Sequence, residues 1–144
     1  MILSKWDKRF LDLAEHVSSW SKDTTKVGAV IVNEDRKVLS LGYNGFPIHV
    51  HDHTERYSNR ETKYKFVCHA ERNALDNVDI SVRKCILYAT LQPCNECTKS
   101  IIQKGIKRVV SYVDKSRPDY SEFKKWSVPM MNEAMVEIIE IERS

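Results

Sequence analysis

Leu3, Trp6, Phe10, Leu13, Ala14, Val17 and Trp20 recur at steps of three and four residues. That spacing predicts an amphipathic helix with one buried face. Ser4 followed by Asp7 supplies a cap for its start. Val27 to Val32 is a short apolar run rich in β-branched residues and predicts a strand. Asn33 to Arg36 then reads as a polar turn and Val38 to Tyr43 as a second strand, together an antiparallel hairpin. Asn44-Gly45 and Pro47 break the pattern into a loop. His49 to Lys65 is polar throughout and reads as a long surface loop or a short helix. Helices follow over His69–Asp76 and Asn95–Lys104, the second stopped by Gly105. Strands follow over Cys85–Thr90, Arg108–Val113 and Val136–Ile141, and Tyr120–Glu133 reads as helix interrupted near Pro129. The alternation after Val67 predicts an α/β sandwich with a mixed sheet. No repeat or Pro/Gly/Ser-rich linker divides the chain, so one domain over residues 1–144 is expected.

Composition narrows this picture. Of 144 residues 42% are hydrophobic and 30% charged, which fits an ordered globular domain. With 23 basic and 20 acidic residues the net charge is +3, far from the basic stripe of a dedicated duplex binder. No nucleic-acid partner is expected, whereas a small anionic substrate suits the surplus. No apolar run approaches the roughly 20 residues of a membrane span. The first nine residues lack the apolar core of a signal peptide, so a cytoplasmic location is expected.

Four cysteines stand at positions 68, 85, 94 and 97. An even count raises a disulfide framework. Without signs of secretion, the Cys94-x-x-Cys97 spacing points instead to metal or redox chemistry. His69-Ala70-Glu71 and Pro93-Cys94-Asn95-Glu96-Cys97 complete the pattern. His69, Cys94 and Cys97 supply three ligands for tetrahedral Zn²⁺, and a catalytic site leaves the fourth position for water. Cys94 and Cys97 fall in one first helical turn, where the helix dipole favours thiolates. Glu71 is placed to accept a proton from the water and return it to the ring nitrogen and the departing ammonia. A closed structural zinc site, with Glu71 as a solvated surface residue, leaves Glu71 and the missing fourth ligand unexplained. A thiol–disulfide protein leaves His69 and Glu71 unexplained. Cys68 and Cys85 read as buried or half-buried ordinary thiols.

The His-x-Glu…Pro-Cys-x-x-Cys pattern is the signature of the zinc nucleobase deaminases. Within that group, Glu61 to Ala74, Pro93 to Lys107, and Lys26 to Val32 followed by Gly42-Tyr43-Asn44-Gly45-Phe46-Pro47 resemble deoxycytidylate (dCMP) deaminases. Free-cytidine deaminases usually place Cys where this chain has His69. Riboflavin-pathway deaminases space their two Cys ligands further apart. Transfer-RNA adenosine deaminases lack the Tyr43 to Gly45 run combined with Tyr64 to His69.

The resemblance implies a cytidine deaminase-like three-layer α-β-α sandwich around a mixed five-stranded sheet. It implies conversion of dCMP to dUMP, one catalytic Zn²⁺, and a homo-oligomer, often a hexamer. Many members are activated by dCTP with Mg²⁺ and inhibited by dTTP, and Gly42, Tyr43, Asn44 and Gly45 are the candidate effector loop. Asn44 matches a loop residue near the substrate sugar; a plain tight turn is the other reading of Asn44-Gly45. Ala70 and the backbone from Thr90 to Pro93 are expected to line the base pocket. Lys26, Lys115 and Arg117 are candidates for the 5′-phosphate. Tyr120 and Trp126 are expected to pack on the core. His49, His51 and His53 alternate, which reads as a charged surface loop or, if extended, a second metal site. The alternatives are the same chemistry on another base (cytidine, deoxycytidine, a modified dCMP, adenosine in tRNA) or a non-catalytic zinc-binding member of the fold.

Overall fold

The amphipathic N-terminal stretch folds as helix α1, Lys5–Ser18, in a computed structural model that describes residues 3–143. Its start is a capping box. Ser4 Oγ accepts from Asp7 N at 3.1 Å, and Asp7 Oδ2 accepts from Ser4 N at 3.0 Å. The hairpin follows as β1 (Gly28–Val32) and β2 (Val38–Tyr43), antiparallel across the polar turn. β1 is buried along its whole length, as expected for a strand covered on both faces. The polar stretch after Pro47 forms two short helices, α2 (Thr54–Ser58) and α3 (Arg60–Phe66). The break between them is Asn59, whose extended backbone caps α3 while its side chain accepts from Thr62 N.

The second half alternates as read: α4 (Ala70–Asp76), β3 (Ile86–Ala89), α5 (Asn95–Gln103) and β4 (Arg108–Val113), then a C-terminal helical run and β5 (Glu137–Glu142). Gly105 takes φ +82° after α5, a left-handed stop open to glycine. The sheet order is β2-β1-β3-β4-β5, antiparallel on the first half and parallel from β3 to β5. The parallel pairs are those joined by helical crossovers. α1 packs on one face, where Phe10, Leu11 and Ala14 meet Val30, Val32, Tyr88 and Val110. α4, α5 and the C-terminal helices cover the other, where Ala74, Leu75, Ile101 and Met131 meet Ile31, Leu87 and Val109. The three-layer sandwich with a mixed five-stranded sheet is therefore as the sequence implied.

One correction concerns the C-terminal helical run. Its irregularity precedes Pro129. α6 (Asp119–Glu122) passes into a π-helical turn over Phe123–Ser127 and continues as α7 (Val128–Glu133). Pro129 lies in the first turn of α7, where a missing N–H is tolerated.

α1 is tied to the sheet by charge as well as apolar packing. Asp7, 2% exposed, accepts from Tyr88 Oη at 2.7 Å and from both terminal nitrogens of Arg108 at 2.7 and 2.8 Å. Arg108 also donates to Glu137 at 2.7 Å. Burial pushes the Asp7 carboxyl upward, but bonds from Arg108, Ser4 and Tyr88 outweigh it and hold it well below the usual range. A carboxylate depressed in the folded state adds stability above its unfolded pKa, and that stability is lost as pH falls below it. Asp7→Asn leaves Arg108 without its buried counter-charge and is expected to cost about 3 kcal/mol at pH 7. Urea unfolding checks this; an unchanged midpoint would mean the bridge adds nothing beyond packing.

Candidate active site

The two motif segments meet at the carboxyl end of the parallel strands, where open α/β sheets place ligands. β3 ends at Ala89, and Thr90 to Pro93 lead into Cys94. Cys94 is the N-cap of α5, and its Sγ accepts from Cys97 N at 3.4 Å. His69 is the N-cap of α4. The packing of α4 on the sheet depends on Gly42 in β2: a Cβ there would lie 2.4 Å from the carbonyl oxygen of Ala70. Gly42 thus has a structural task, whatever else its loop does.

His69 Nδ1 lies 3.4 Å from Cys94 Sγ and 3.3 Å from Cys97 Sγ. The three donor atoms fall within 4.8 Å of one another, and no other such donor cluster occurs among the described residues. Tetrahedral zinc at its ordinary bond lengths separates N and S ligands by about 3.6 Å. The donor set and its spacing therefore fit zinc. The two thiols divide a charge between them. A hydrogen bond from Cys97, reinforced by His69, holds Cys94 down to about 4. The same contact, with burial, pushes Cys97 far up. The bond to Cys94 also raises His69.

Glu71 is 4% exposed, and this burial pushes its carboxyl up to about 7. It lines a cavity of about 220 Å³ together with Ala70, His69 and Cys94. A carboxyl poised near neutrality can both take and give a proton in one catalytic cycle. A solvated surface glutamate would have neither property.

The other candidates are placed unevenly. Asn44 lines the cavity, but its amide is engaged within the protein. Oδ1 accepts from Val27 N at 2.8 Å, and Nδ2 donates to Thr25 O at 2.8 Å and to Asp23 at 3.4 Å. Leu91 and Gln92 lie on the cavity wall beside Ala70. Pro93 is buried outside it, its carbonyl accepting from Ser127 Oγ at 3.3 Å. Arg117 lines the cavity and donates to Asp119. Lys26 lines a neighbouring cleft of about 300 Å³ that shares Thr25, Leu91 and Arg117 with the cavity. Lys115 faces Glu142 at 3.6 Å, away from both.

Tyr120 packs beside Phe123 and donates to Glu140, as a packing role requires. Trp126 departs from that expectation: it is 52% exposed, with Lys125 over its ring. The π-helical turn places it on the outer side, whereas Phe123 and Ser127 of the same turn are buried. His49, His51 and His53 are exposed, and they form no cluster of metal donors. All four cysteines are free, with Cys85 buried and Cys68 half-buried. Sequence reasoning gave no role to Asp23, Lys63 or Asp119, which the fold brings to the cavity wall. Lys63 stood inside a quoted motif; Asp23 carried no signal.

Residues 4–113 match the family described as the cytidine and deoxycytidylate deaminase zinc-binding region. Over 118 residues the chain is 42% identical to the deoxycytidylate deaminase of Homo sapiens, covering 77% of this chain and 66% of that protein. It is 39% identical over 144 residues to an uncharacterized deaminase in the luxG 3′ region of Aliivibrio fischeri, covering 95% of this chain and 94% of that one. The fold superposes on a crystal structure of dCMP deaminase from the cyanophage S-TIM5 in complex with dCMP and dUMP. The TM-score is 0.75 at 26% identity, covering 98% of this chain and 100% of the other. The donors that fit zinc, the buried carboxyl beside them and the match across residues 4–113 agree: the chain belongs to the cytidine and deoxycytidylate deaminase zinc-binding family.

Proposed function

We propose that the chain catalyses zinc-dependent hydrolytic deamination of dCMP to dUMP and ammonia. The observation that carries the reading is the His69, Cys94 and Cys97 donor set, two of whose members, His69 and Cys94, line one cavity with buried Glu71. The relatives named above support dCMP as the substrate.

His69, Cys94 and Cys97 would hold the zinc, which supplies Lewis-acid activation of water when bound. Glu71 as carboxylate takes one proton from the attacking water and delivers it to the ring nitrogen. It then takes the remaining proton of the added hydroxyl and delivers it to the amine, so that the carbon–nitrogen bond breaks and ammonia departs. Ala70, Leu91 and the Gln92 segment form the wall against the pyrimidine. Asn44 fixes the Thr25 to Val27 backbone beside the sugar. The neighbouring cleft carries Lys26, Arg117 and Arg143 against Glu15 and Asp114, a cationic balance suited to a phosphate. Lys26 and Arg117 therefore stay in the reading, while Lys115 leaves it.

Regulation by dCTP with Mg²⁺ and by dTTP, and assembly into a homo-oligomer, belong to the same reading. A second cavity of about 280 Å³ beside Tyr43 and Gly45 supports an effector site. The exposed apolar side chains Trp20, Leu41, Tyr43 and Ile48 support self-association. Four free cysteines suit a reducing, cytoplasmic location, and none of the described helices is long and apolar enough to cross a membrane.

The test is ammonia release by the zinc-loaded protein from dCMP, CMP, deoxycytidine, dCTP and a tRNA hairpin. The highest kcat/KM is expected on dCMP, with added dCTP raising the rate at low dCMP. A faster rate on CMP or deoxycytidine would overturn the substrate. A hyperbolic curve unmoved by dCTP would remove the regulation.

A further inference from the structure

The cavity wall beside Asn44 holds an ion pair with no part in the chemistry above. Lys63 Nζ donates to Asp23 Oδ1 at 3.0 Å, and both side chains are largely buried, at 19% and 8% exposure. Both line the cavity that contains His69 and Glu71. Lys63 comes from α3 and Asp23 from the loop before β1, so the pair joins two segments far apart in sequence. A buried pair is weak as a stabilising device, because desolvating two charges offsets their attraction. Its position on a ligand cavity asks for another use.

An ammonium and a carboxylate side by side present a donor and an acceptor. A hydroxyl matches that pair, since it accepts from one and donates to the other. A phosphate does not, because Asp23 would repel it. The amide of Asn44 is already committed to Val27, Thr25 and Asp23. Lys63 has three donor hydrogens, and Asp23 is its one hydrogen-bond acceptor among the described residues. Asp23 belongs to the loop that leads to Thr25, where cavity and cationic cleft adjoin. With the base at Glu71 and the phosphate at Arg117, the sugar lies between them, within reach of this loop.

We infer that Lys63 and Asp23 form the sugar-reading site, holding the free hydroxyl of the substrate's deoxyribose between ammonium and carboxylate, with Asn44 as the residue that positions Asp23. The inference rests on the proposed deaminase reading, and its test separates the two.

The test is a cycle between protein and substrate. Wild type, Lys63→Met and the double variant Lys63→Met/Asp23→Asn are given dCMP and its 2′,3′-dideoxy analogue. The double variant keeps the site's charge balance, which guards against misfolding from an unpaired Asp23. Zinc content and thermal unfolding confirm the fold. Wild type is expected to favour the hydroxylated substrate about 10- to 100-fold in kcat/KM, the range of a hydrogen bond to a charged group. In the double variant that ratio is expected to fall below about 3-fold. Calorimetric binding of dUMP and 2′,3′-dideoxy-dUMP is expected to show the same loss of discrimination without turnover. A merely structural pair would lower both substrates alike and leave the ratio at its wild-type value, which overturns the inference. So does a wild type indifferent to the hydroxyl. If wild type prefers deoxycytidine to dCMP, the dCMP assignment fails while the ratio, taken on deoxycytidine and its dideoxy analogue, still decides the sugar site. A wild type that turns over no cytosine compound overturns both.

Discussion

Replacing Glu71 by Gln is expected to leave zinc content unchanged and to lower kcat by about 10⁴-fold, the upper range for general acid–base catalysis. Gln matches the shape of Glu but can neither accept the water's proton nor deliver it to the leaving amine. In the proposed mechanism one carboxyl serves both transfers, so the variant loses both. The pH profile supplies a second signature. Wild-type kcat/KM should fall on the acid side as the base becomes protonated, and, without metal, burial pushes Glu71 up to about 7. Stability should move the other way. An unfolded glutamate ionises near 4.5, whereas the folded one keeps its proton to about 7. Between those values the folded state binds more protons, so the metal-free protein loses stability as pH rises. Glu71→Gln removes that penalty and should unfold at higher temperature than wild type at pH 7, both without metal. Near-normal turnover by the variant would take Glu71 out of its role.

This conflict between burial and charge was only half legible in the sequence. The spacing of His69, Glu71, Cys94 and Cys97 pointed to a candidate donor set and a carboxyl, because metal chemistry restricts residue type as well as spacing. It could not say that Glu71 would be 4% exposed, since that depends on α4 packing against Gly42 of a distant strand. The layered fold was legible for a similar reason. β1 is continuously apolar and α1 strictly amphipathic, and both patterns follow directly from burial. The irregular pieces were not. The π-helical turn over Phe123–Ser127 leaves no periodic mark, and proline drew attention to the wrong place. Asp23 and Asp119 reach the cavity through loop geometry, and no local pattern announces a loop residue's partner across the fold. Arg117 and Lys26 were sought as simple cations. The fold brings both to the outer cleft, with Arg117 on the wall that the cleft shares with the cavity.

Cys97→Ser should lose zinc and stability together. Among the three donors Cys97 is the buried one, 3% exposed, at the first turn of α5 where its N–H already binds Cys94. A serine hydroxyl there stays protonated at neutral pH and is a poor ligand for zinc, which prefers N and S donors. Two ligands, His69 and Cys94, would remain, too few to hold the ion through dialysis. Because the folded chain gathers the three donors and binds zinc more tightly than the unfolded one, its loss removes stabilisation that grows with metal concentration. The expected outcome is zinc content near zero by elemental analysis and a melting temperature matching that of chelator-treated wild type. Proton release sharpens the test. In the metal-free cluster the two thiols share their charge unequally, Cys94 held down by bonds from Cys97 and His69 and Cys97 pushed up by the same contact and by burial. Zinc binds thiolates and neutral imidazole, so uptake by wild type at pH 7 expels protons and affinity must rise with pH. Titrating zinc into weakly buffered wild type should acidify the solution, and Cys97→Ser should not. A variant that keeps one zinc per chain would show that the ion is held by other residues, and the assigned ligand set would have to be abandoned.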